Sequence, residues 1–471
     1  MKEINQRSTR IIQIFKSILP SPFTIAILLT LFTLLLAQFL TKPTDVSHGA
    51  YFLKLVTSWE GGLWDSSGGG LYFAFQMMLI LVLGHILALT PIVDKLIQSL
   101  LKYCNTTASS AITVALGAMV LGLINWGLGL IFGAIIARKV GEKFAYENKP
   151  LNYGLVGAAG YVTMMVWHGG LSGSATTKCM EEGYIPAMMK QMGIEGNYPD
   201  NVPFEETIGS FMNISATLAC FILIPLAIYL ISKKAKEEKI TIFQQENNKE
   251  ESLLEDDNHV RGAEKLDYSK IFGIALGVGI LLIGIYKAIS YQGQSSLGFI
   301  QLNFINLIFL GLSLALHKNI TNFSKALQTS IEDVSGILIQ FPLYFGILAI
   351  MSNSGLIAIL SNSITSIATD YTLPLFTFYS AGIVNFFVPS GGGQWAIQGP
   401  IIIETGQQLN ASLPKSILAM AYGDQLTNMM QPFWALPLLG ITKLKPQQLL
   451  PYTFLLMLVG VLIFSTVLLI F

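Results

Sequence analysis

The chain has 471 residues, 52% of them apolar and only 12% charged, and its 28 basic and 28 acidic side chains cancel to a formal charge of zero. Soluble domains carry about a quarter charged residues, and nucleic-acid binders show a basic excess; both classes are excluded. What remains is a membrane protein whose solvent is the lipid bilayer and whose charges matter by position. Cys104, Cys179 and Cys220 lie far apart, with no CxxC pair and no His at ligand spacing, so neither a disulfide, a metal site nor a cofactor is expected.

In chain order, a basic N-terminus precedes an apolar run at 17–39. That run is too long for a signal-peptide core and lacks a small-x-small cleavage site, so it reads as an uncleaved first helix. Further runs near the length of ~20 residues that crosses a bilayer follow at 71–93, 150–174, 206–231, 269–288, 298–316, 334–360, 414–440 and 449–470. Two others, 108–137 and 373–405, are interrupted by Asn125-Trp126-Gly127 and by Pro389-Ser390-Gly391-Gly392-Gly393. The stretch 232–268 is charged and poor in aromatics, the composition of a disordered linker.

Charge decides how 108–137 runs. As a hairpin that enters and leaves by one face, it leaves 22 of the 28 Lys and Arg on that face. The other face then holds only Lys42, Lys54, Lys178, Lys190, Lys287 and Lys415. A full crossing would move Arg138, Lys139, Lys143, Lys149 and the linker's basic residues outside. Cytoplasmic loops carry the Lys/Arg excess, which favours the hairpin, a cytoplasmic N-terminus and linker, and an outside C-terminus in the inner membrane.

The halves also resemble each other. Leu-Ala-Leu-Thr at 87–90 and Ile124-Asn125-Trp126-Gly127 have counterparts in Leu-Ala-Ile-Met at 348–351 and Val384-Asn385-Phe386-Phe387. The offset of about 260 residues brings His168 opposite Asn428, and paired interrupted segments point to inverted repeats around a midplane site. The expected fold is therefore an all-α polytopic membrane protein of two inverted repeats, about nine transmembrane helices plus two re-entrant hairpins. Its parts are a first repeat, 1–231, with a hairpin near 108–140; the linker, 232–268; a connecting helix, 269–297; and a second repeat, 298–471, with a hairpin near 373–405.

Four interruptions carry the candidate substrate- and ion-binding residues. They are Asn125, Trp126 and Gly127; His168, Gly169, Ser172 and Ser174; Asn385, Pro389, Ser390, Gly391, Gly392, Gly393 and Gln394; and Asp424, Gln425, Thr427 and Asn428. Non-helical backbone at membrane depth must line a protein cavity, because lipid cannot satisfy its polar groups. Such breaks present N–H groups that suit anions and carbonyls that suit cations. Gly and Pro also serve packing and kinks, but here they coincide with amide and hydroxyl side chains at four places. Asp424 is the one acid deep within a span, where a carboxylate marks function; His85 lacks such company and reads as structural. Trp126, Phe386, Phe387, Trp395, Phe433 and Trp434 flank the breaks, as pocket walls or as core.

The run Val384 to Trp395, with Pro20-Ser21-Pro22-Phe23 and Trp167-His168-Gly169-Gly170-Leu171-Ser172-Gly173-Ser174, resembles the bacterial short-chain fatty acid transporter family over essentially the whole chain. The resemblance implies uptake of small monocarboxylates such as butyrate or acetoacetate. Through the wider ion transporter superfamily it also implies a homodimer with a scaffold and a mobile transport domain. Asn125-Trp126-Gly127 departs from the Ser-Asn-Thr triplet of the dicarboxylate branch, so that branch's sodium sites are not carried over.

The leading expectation is a symporter of short-chain monocarboxylates, driven by H+ at Asp424 with His168, or by Na+ near Asn385 and Asn428. A dicarboxylate or hydroxy-acid transporter of the same fold is the alternative. A membrane hydrolase built on Ser172 or Ser174 with His168 lacks a Gly-x-Ser-x-Gly elbow, and a channel has no need of paired hairpins.

Overall fold

The computed structural model describes residues 21–64, 70–191, 196–240, 262–292, 302–356, 367–388 and 390–471, with 299, 358, 359 and 363 singly. The N-terminal 1–20, the linker's centre at 241–261 and Pro389 lie outside the described residues.

The first helix, α1 (Pro22–Leu40), starts where the Ser21 hydroxyl accepts the Thr24 N–H and Pro22 sets the first turn. It is followed by α2 (His48–Leu63), α3 (Gly70–Ala88) and α4 (Pro91–Leu101). The expected span 71–93 thus stops early, because Pro91 has no N–H to continue α3 and instead opens α4. Next come α5 (Thr107–Ile124) and α6 (Trp126–Tyr146), joined at Asn125, which ends one helix and caps the next.

Both limbs are longer than the interrupted apolar run suggested. At 18 and 21 residues they reach about 27 and 31 Å at 1.5 Å per residue. The charged end of α6 stays helical because Arg138 and Lys139 pair with Glu142 at 2.8 and 2.9 Å, at the spacings that put side chains side by side on a helix.

The expected spans 150–174 and 414–440 are each two half-helices. The first is α7 (Tyr153–Tyr161), a 3-10 turn (Val162–Met165), an irregular stretch and α8 (Ser174–Cys179). After α9 (Tyr184–Gln191) and α10 (Phe211–Ser232), the stretch expected to be linker begins as structure. Glu238–Lys239 pairs antiparallel with Pro150–Leu151, and Gly262–Leu266 forms a 3-10 helix.

The second half has α11 (Lys270–Ile289), α12 (Leu302–His317), α13 (Ile320–Ser330) and α14 (Ser335–Asn353). The last is shorter than the expected 334–360, since Gly355 takes a φ of 77° and turns the chain away. The second interrupted pair is α15 (Leu373–Asn385) and α16 (Gly391–Leu409). The second broken helix is α17 (Leu413–Thr427), a 3-10 turn (Asn428–Met430) and α18 (Pro432–Thr442), and α19 (Pro446–Ile470) closes the chain.

Among the described residues, α1, α5, α10, α11 and α19 contain stretches long and apolar enough to cross a bilayer. α10 and α11 turn Phe211, Leu218, Ile222, Ile271, Leu282 and Ile289 outward, as lipid-facing helices do. The centre is different: every residue of α7, and every residue from Ser416 to Leu426 in α17, is buried.

Hydrogen bonds sort the ends of these elements into two faces. At one, the Thr107 hydroxyl donates to Glu237, the Asn152 N–H donates to Thr107, and the Lys143 ammonium donates to the Leu101 and Cys104 carbonyls. Arg138 reaches the Ile441 carbonyl there, and Asn152 reaches Tyr452. The α5–α6 pair therefore has both its ends on this face, beside the end of α10 and the start of α19. At the other face, Leu373 lies against Gly406, the Tyr371 hydroxyl donates to the Leu469 carbonyl, and Phe211 meets Phe471. The α15–α16 pair has its ends here, beside the start of α10 and the end of α19.

Candidate functional site

Each broken helix satisfies the other's break. Tyr161, at the end of α7, donates its hydroxyl to the Asn428 and Gln431 carbonyls at 2.8 and 3.1 Å. In return the Gln425 side chain on α17 accepts the N–H groups of His168 and Gly169 at 2.9 and 3.2 Å. Asn213 on α10 completes the first break by donating to the Gly169 carbonyl while accepting from Tyr422. Backbone groups freed from the helical ladder must find such partners when buried.

His168 and Asp424, 256 positions apart in sequence, meet at 2.6 Å through Nδ1 and Oδ2, both fully buried. The tautomer follows from the other ring nitrogen. His168 Nε2 receives the Ala175 backbone N–H at 3.0 Å, and an amide N–H can only donate, so Nε2 bears a lone pair and Nδ1 bears the hydrogen. The imidazole is therefore neutral and donates to the carboxylate. Asp424 Oδ1 is buried with no hydrogen-bond partner.

The start of α16 closes over this pair. A Cβ on Gly391 would sit 2.9 Å from Trp167, 3.0 Å from His168 Cε1 and 3.3 Å from Asp424 Oδ2, so only glycine lets the helix approach this far. One residue on, Gly392 is exposed and lies beside Ser174, whose Cβ and hydroxyl would be 3.8 Å from a Cβ built there, an ordinary contact distance. Ser390 caps the helix by accepting the Gly393 N–H at 3.1 Å.

A second cluster lies on the far side of the same turn of α17. The Asn385 side-chain nitrogen is 2.8 Å from the Asp424 carbonyl, 2.9 Å from Thr427 Oγ1 and 2.6 Å from Asn428 Oδ1, and the Asn385 backbone carbonyl accepts from the Gln431 side chain. Asp424 joins the two clusters, with its side chain in one and its carbonyl in the other.

The first interrupted pair arrives from the opposite direction. Asn125 Oδ1 accepts the Gly127 and Leu128 N–H groups at 2.9 and 3.1 Å, and the Trp126 N–H donates to Ser172 at 3.1 Å. The Trp126 ring lies 6.3 Å from Trp167, which stacks on His168 at 4.4 Å.

The structure thus gathers His168, Gly169, Ser174, Gly391, Gly392, Asp424 and Gln425 at one break and Asn385, Thr427 and Asn428 at the other. Asn125, Trp126, Gly127 and Ser172 flank the first cluster, and Ser390 and Gly393 form the cap of α16. Gln394 is not part of either; it bonds the Ala381 carbonyl and Gln398, tying α15 to α16. Tyr161 and Asn213 were missed, because an aromatic or amide inside an apolar run carries no local sign of a partner elsewhere. Gln431 stood one residue before Pro432 at a recognised break, which was a usable signal. The hydrolase reading, already disfavoured by the sequence, gains nothing here: both His168 nitrogens are engaged, by Asp424 and by the Ala175 N–H, and neither is left to act as a base toward Ser172 or Ser174.

Among the described residues these clusters hold no Lys or Arg, and they sit between paired breaks inside apolar helices. The chain is 35% identical over 436 residues to a Haemophilus influenzae protein named as a short-chain fatty acid transporter, spanning 90% of each. It is 33% identical over 438 residues to an Escherichia coli K12 protein of the same name, spanning 92% of each. Among solved structures, the YdaH transporter of Alcanivorax borkumensis aligns at a TM-score of 0.40 and 17% identity, over 95% of this chain and 98% of that one. MtrF of Neisseria gonorrhoeae aligns at 0.39 and 14%, over 97% of this chain and 96% of that one. The family profile described as short chain fatty acid transporter matches residues 3–471, and with the paired breaks and the buried Asp424–His168 contact in place, the chain belongs to that family.

Proposed function

We propose that this protein is a secondary transporter that takes up short-chain monocarboxylates such as butyrate and acetoacetate, coupled to protons by alternating access. The observation that carries the reading is the buried contact of Asp424 with His168 between the two broken helices, where Asp424 Oδ1 has no hydrogen-bond partner. A carboxylate reaching the exposed Gly392 beside Ser174 would meet the first N–H groups of α16 and the Ser174 hydroxyl, donors that suit a single negative charge. The proton's place is Asp424 Oδ1, the buried carboxylate oxygen without a partner. A proton there removes an uncompensated charge from a dry interior and leaves the His168 contacts intact.

A sodium-coupled reading has its own support at Asn385. Its amide nitrogen has two hydrogens but faces three oxygens. With the amide rotated, its oxygen would join the other three at the carbonyl end of α17, where a cation is favoured.

Two re-entrant hairpins in inverted repeats belong to this proposal, supported by the opposite faces on which the two pairs have their ends. The cytoplasmic N-terminus rests on the charge count and the homodimer on the resemblance alone. The test is uptake of labelled butyrate into proteoliposomes under an imposed proton or sodium gradient. Rates are taken above protein-free vesicles, since undissociated acid crosses lipid unaided. Saturable, proton-driven accumulation is expected; accumulation driven by sodium alone would select the second reading, and saturation by dicarboxylates in preference to butyrate would overturn the substrate assignment.

A further inference from the structure

Trp167 follows the 3-10 turn of the first broken helix and is buried. Its ring lies flat on His168, with centroids 4.4 Å apart and planes at 19°. One edge of the ring faces the start of α16: Cη2 is 2.9 Å from where a Cβ on Gly391 would sit. The indole nitrogen lies on that same edge, and it is buried with no hydrogen-bond partner. A buried indole N–H ordinarily finds an acceptor, and one left without keeps its full desolvation penalty. Trp59 and Trp395 also carry unpartnered indole N–H groups. They lie against Gly346 of α14 and against Gly399 of α16; of the three, Trp167 is the one in ring contact with His168.

The donors beside it are placed for an anion. Ser390 accepts the Gly393 N–H at its hydroxyl and the Gln394 N–H at its carbonyl. That leaves the N–H groups of Gly391 and Gly392, the first two of α16, outside the helical ladder, with the Ser174 hydroxyl beside Gly392.

We propose that the Trp167 indole N–H donates to an oxygen on the acyl chain of the substrate, so that the transporter prefers short 3-oxo and 3-hydroxy acids to unsubstituted ones. This preference rests on the monocarboxylate reading above and narrows it. With the carboxylate on the first N–H groups of α16, the ring edge facing Gly391 is within reach of the next few carbons of the same molecule. An oxygen at C3 stands clear of the carboxylate's own donors, which an oxygen at C2 would share. The tip of α16 covers this edge, so substrate reaches the N–H when the tip lifts, and closure over a bound oxygen leaves the donor satisfied.

Polarity gives the effect its sign. A pocket without such a donor favours a methyl group over a carbonyl, because the methyl gains by burial and the unpaired carbonyl loses by desolvation. A site built to hydrogen-bond an oxygen rejects the analogue that lacks it, since its own donor is left unpaired.

The test compares acetoacetate, 3-hydroxybutyrate, butyrate and isovalerate, the last with a methyl group where the first two carry oxygen. Each is measured as an inhibitor of labelled butyrate uptake into proteoliposomes and as a stabiliser of the full chain in thermal shift. Wild type should bind acetoacetate about tenfold more tightly than isovalerate. Trp167→Phe keeps a ring on His168 and removes the N–H. It should weaken the oxygenated acids about tenfold and change butyrate little, whereas Trp59→Phe should keep the wild-type preference. Isovalerate bound as well as acetoacetate by wild type, or a preference that survives Trp167→Phe, overturns the proposal. The wild-type comparison decides even where the variant does not fold. No saturation by any of the four acids would instead remove the monocarboxylate reading, and this preference with it.

Discussion

Asp424→Asn keeps the shape of the side chain and removes its charge. The amide oxygen can still accept the His168 Nδ1–H now held at 2.6 Å. What is lost is the difference between a charge-assisted and a neutral hydrogen bond, about 1 kcal/mol. The amide also avoids burying an ionisable group, which itself costs free energy, so folded yield should stay close to wild type. Transport separates the roles. A carrier that moves one proton with each carboxylate turns a gradient of one pH unit, worth ~1.4 kcal/mol, into about tenfold accumulation. The Asn variant has no proton to carry, so its accumulation ratio should fall to about 1, while exchange of labelled for unlabelled butyrate continues. Proteoliposomes measure both quantities once the protein-free rate is subtracted. Tenfold accumulation by Asp424→Asn would refute a coupling role for this residue.

Asn385→Ala removes three contacts at the second break and should lower transport roughly 5- to 150-fold, the effect of ~1–3 kcal/mol; near-normal uptake would place the site elsewhere. Ser390→Ala removes the cap of α16 at a cost of ~0.5–2 kcal/mol and should abolish uptake while expression persists, with Ser390→Asn restoring it in part. Gly129→Ala would drive a Cβ to 2.6 Å from the Gly122 nitrogen and 2.2 Å from the Thr163 hydroxyl, so little folded protein is expected by size-exclusion fluorescence. Gly391→Ala meets side-chain atoms rather than backbone, 2.9 Å from Trp167 and 3.0 Å from His168, so it should disturb the His168–Asp424 pair and transport poorly while losing less folded protein than Gly129→Ala. Thiol probes should label Tyr146→Cys, at an exposed position, and Glu250→Cys from the cytoplasm and a cysteine after Phe471 from outside, against a quiet background because Cys104, Cys179 and Cys220 are buried; outside labelling at 146 would sink the first re-entrant hairpin.

Breaks were the legible part of this sequence. Gly, Pro and amide residues at 125–129, 167–174, 385–394 and 424–432 disturb an apolar pattern, and each marks a real interruption of helix. Short polar helices were not legible. α2, α4 and α13 read as loops because a hydropathy window averages their charged faces with their apolar ones. Their caps were there to be seen, in Ser47, in Thr90-Pro91 and in Asn319. Pairings were only partly in reach. The repeat offset set His168 opposite the break that holds Asp424, and the two do meet; nothing near Tyr161 announces Asn428, because a buried contact across 267 residues leaves no local period or spacing.

The reciprocal bracing of the breaks also bears on how the polypeptide can be divided. Tyr161 and Gln425 sit on opposite sides of the linker, and each satisfies backbone groups belonging to the other side. Neither fragment made by cutting between 241 and 261 can complete its own broken helix, and unsatisfied groups in hydrocarbon cost several kcal/mol each. The fragments produced alone should therefore be degraded. Produced together, they should reassemble and transport, because the bonds that join them do not pass through the cut.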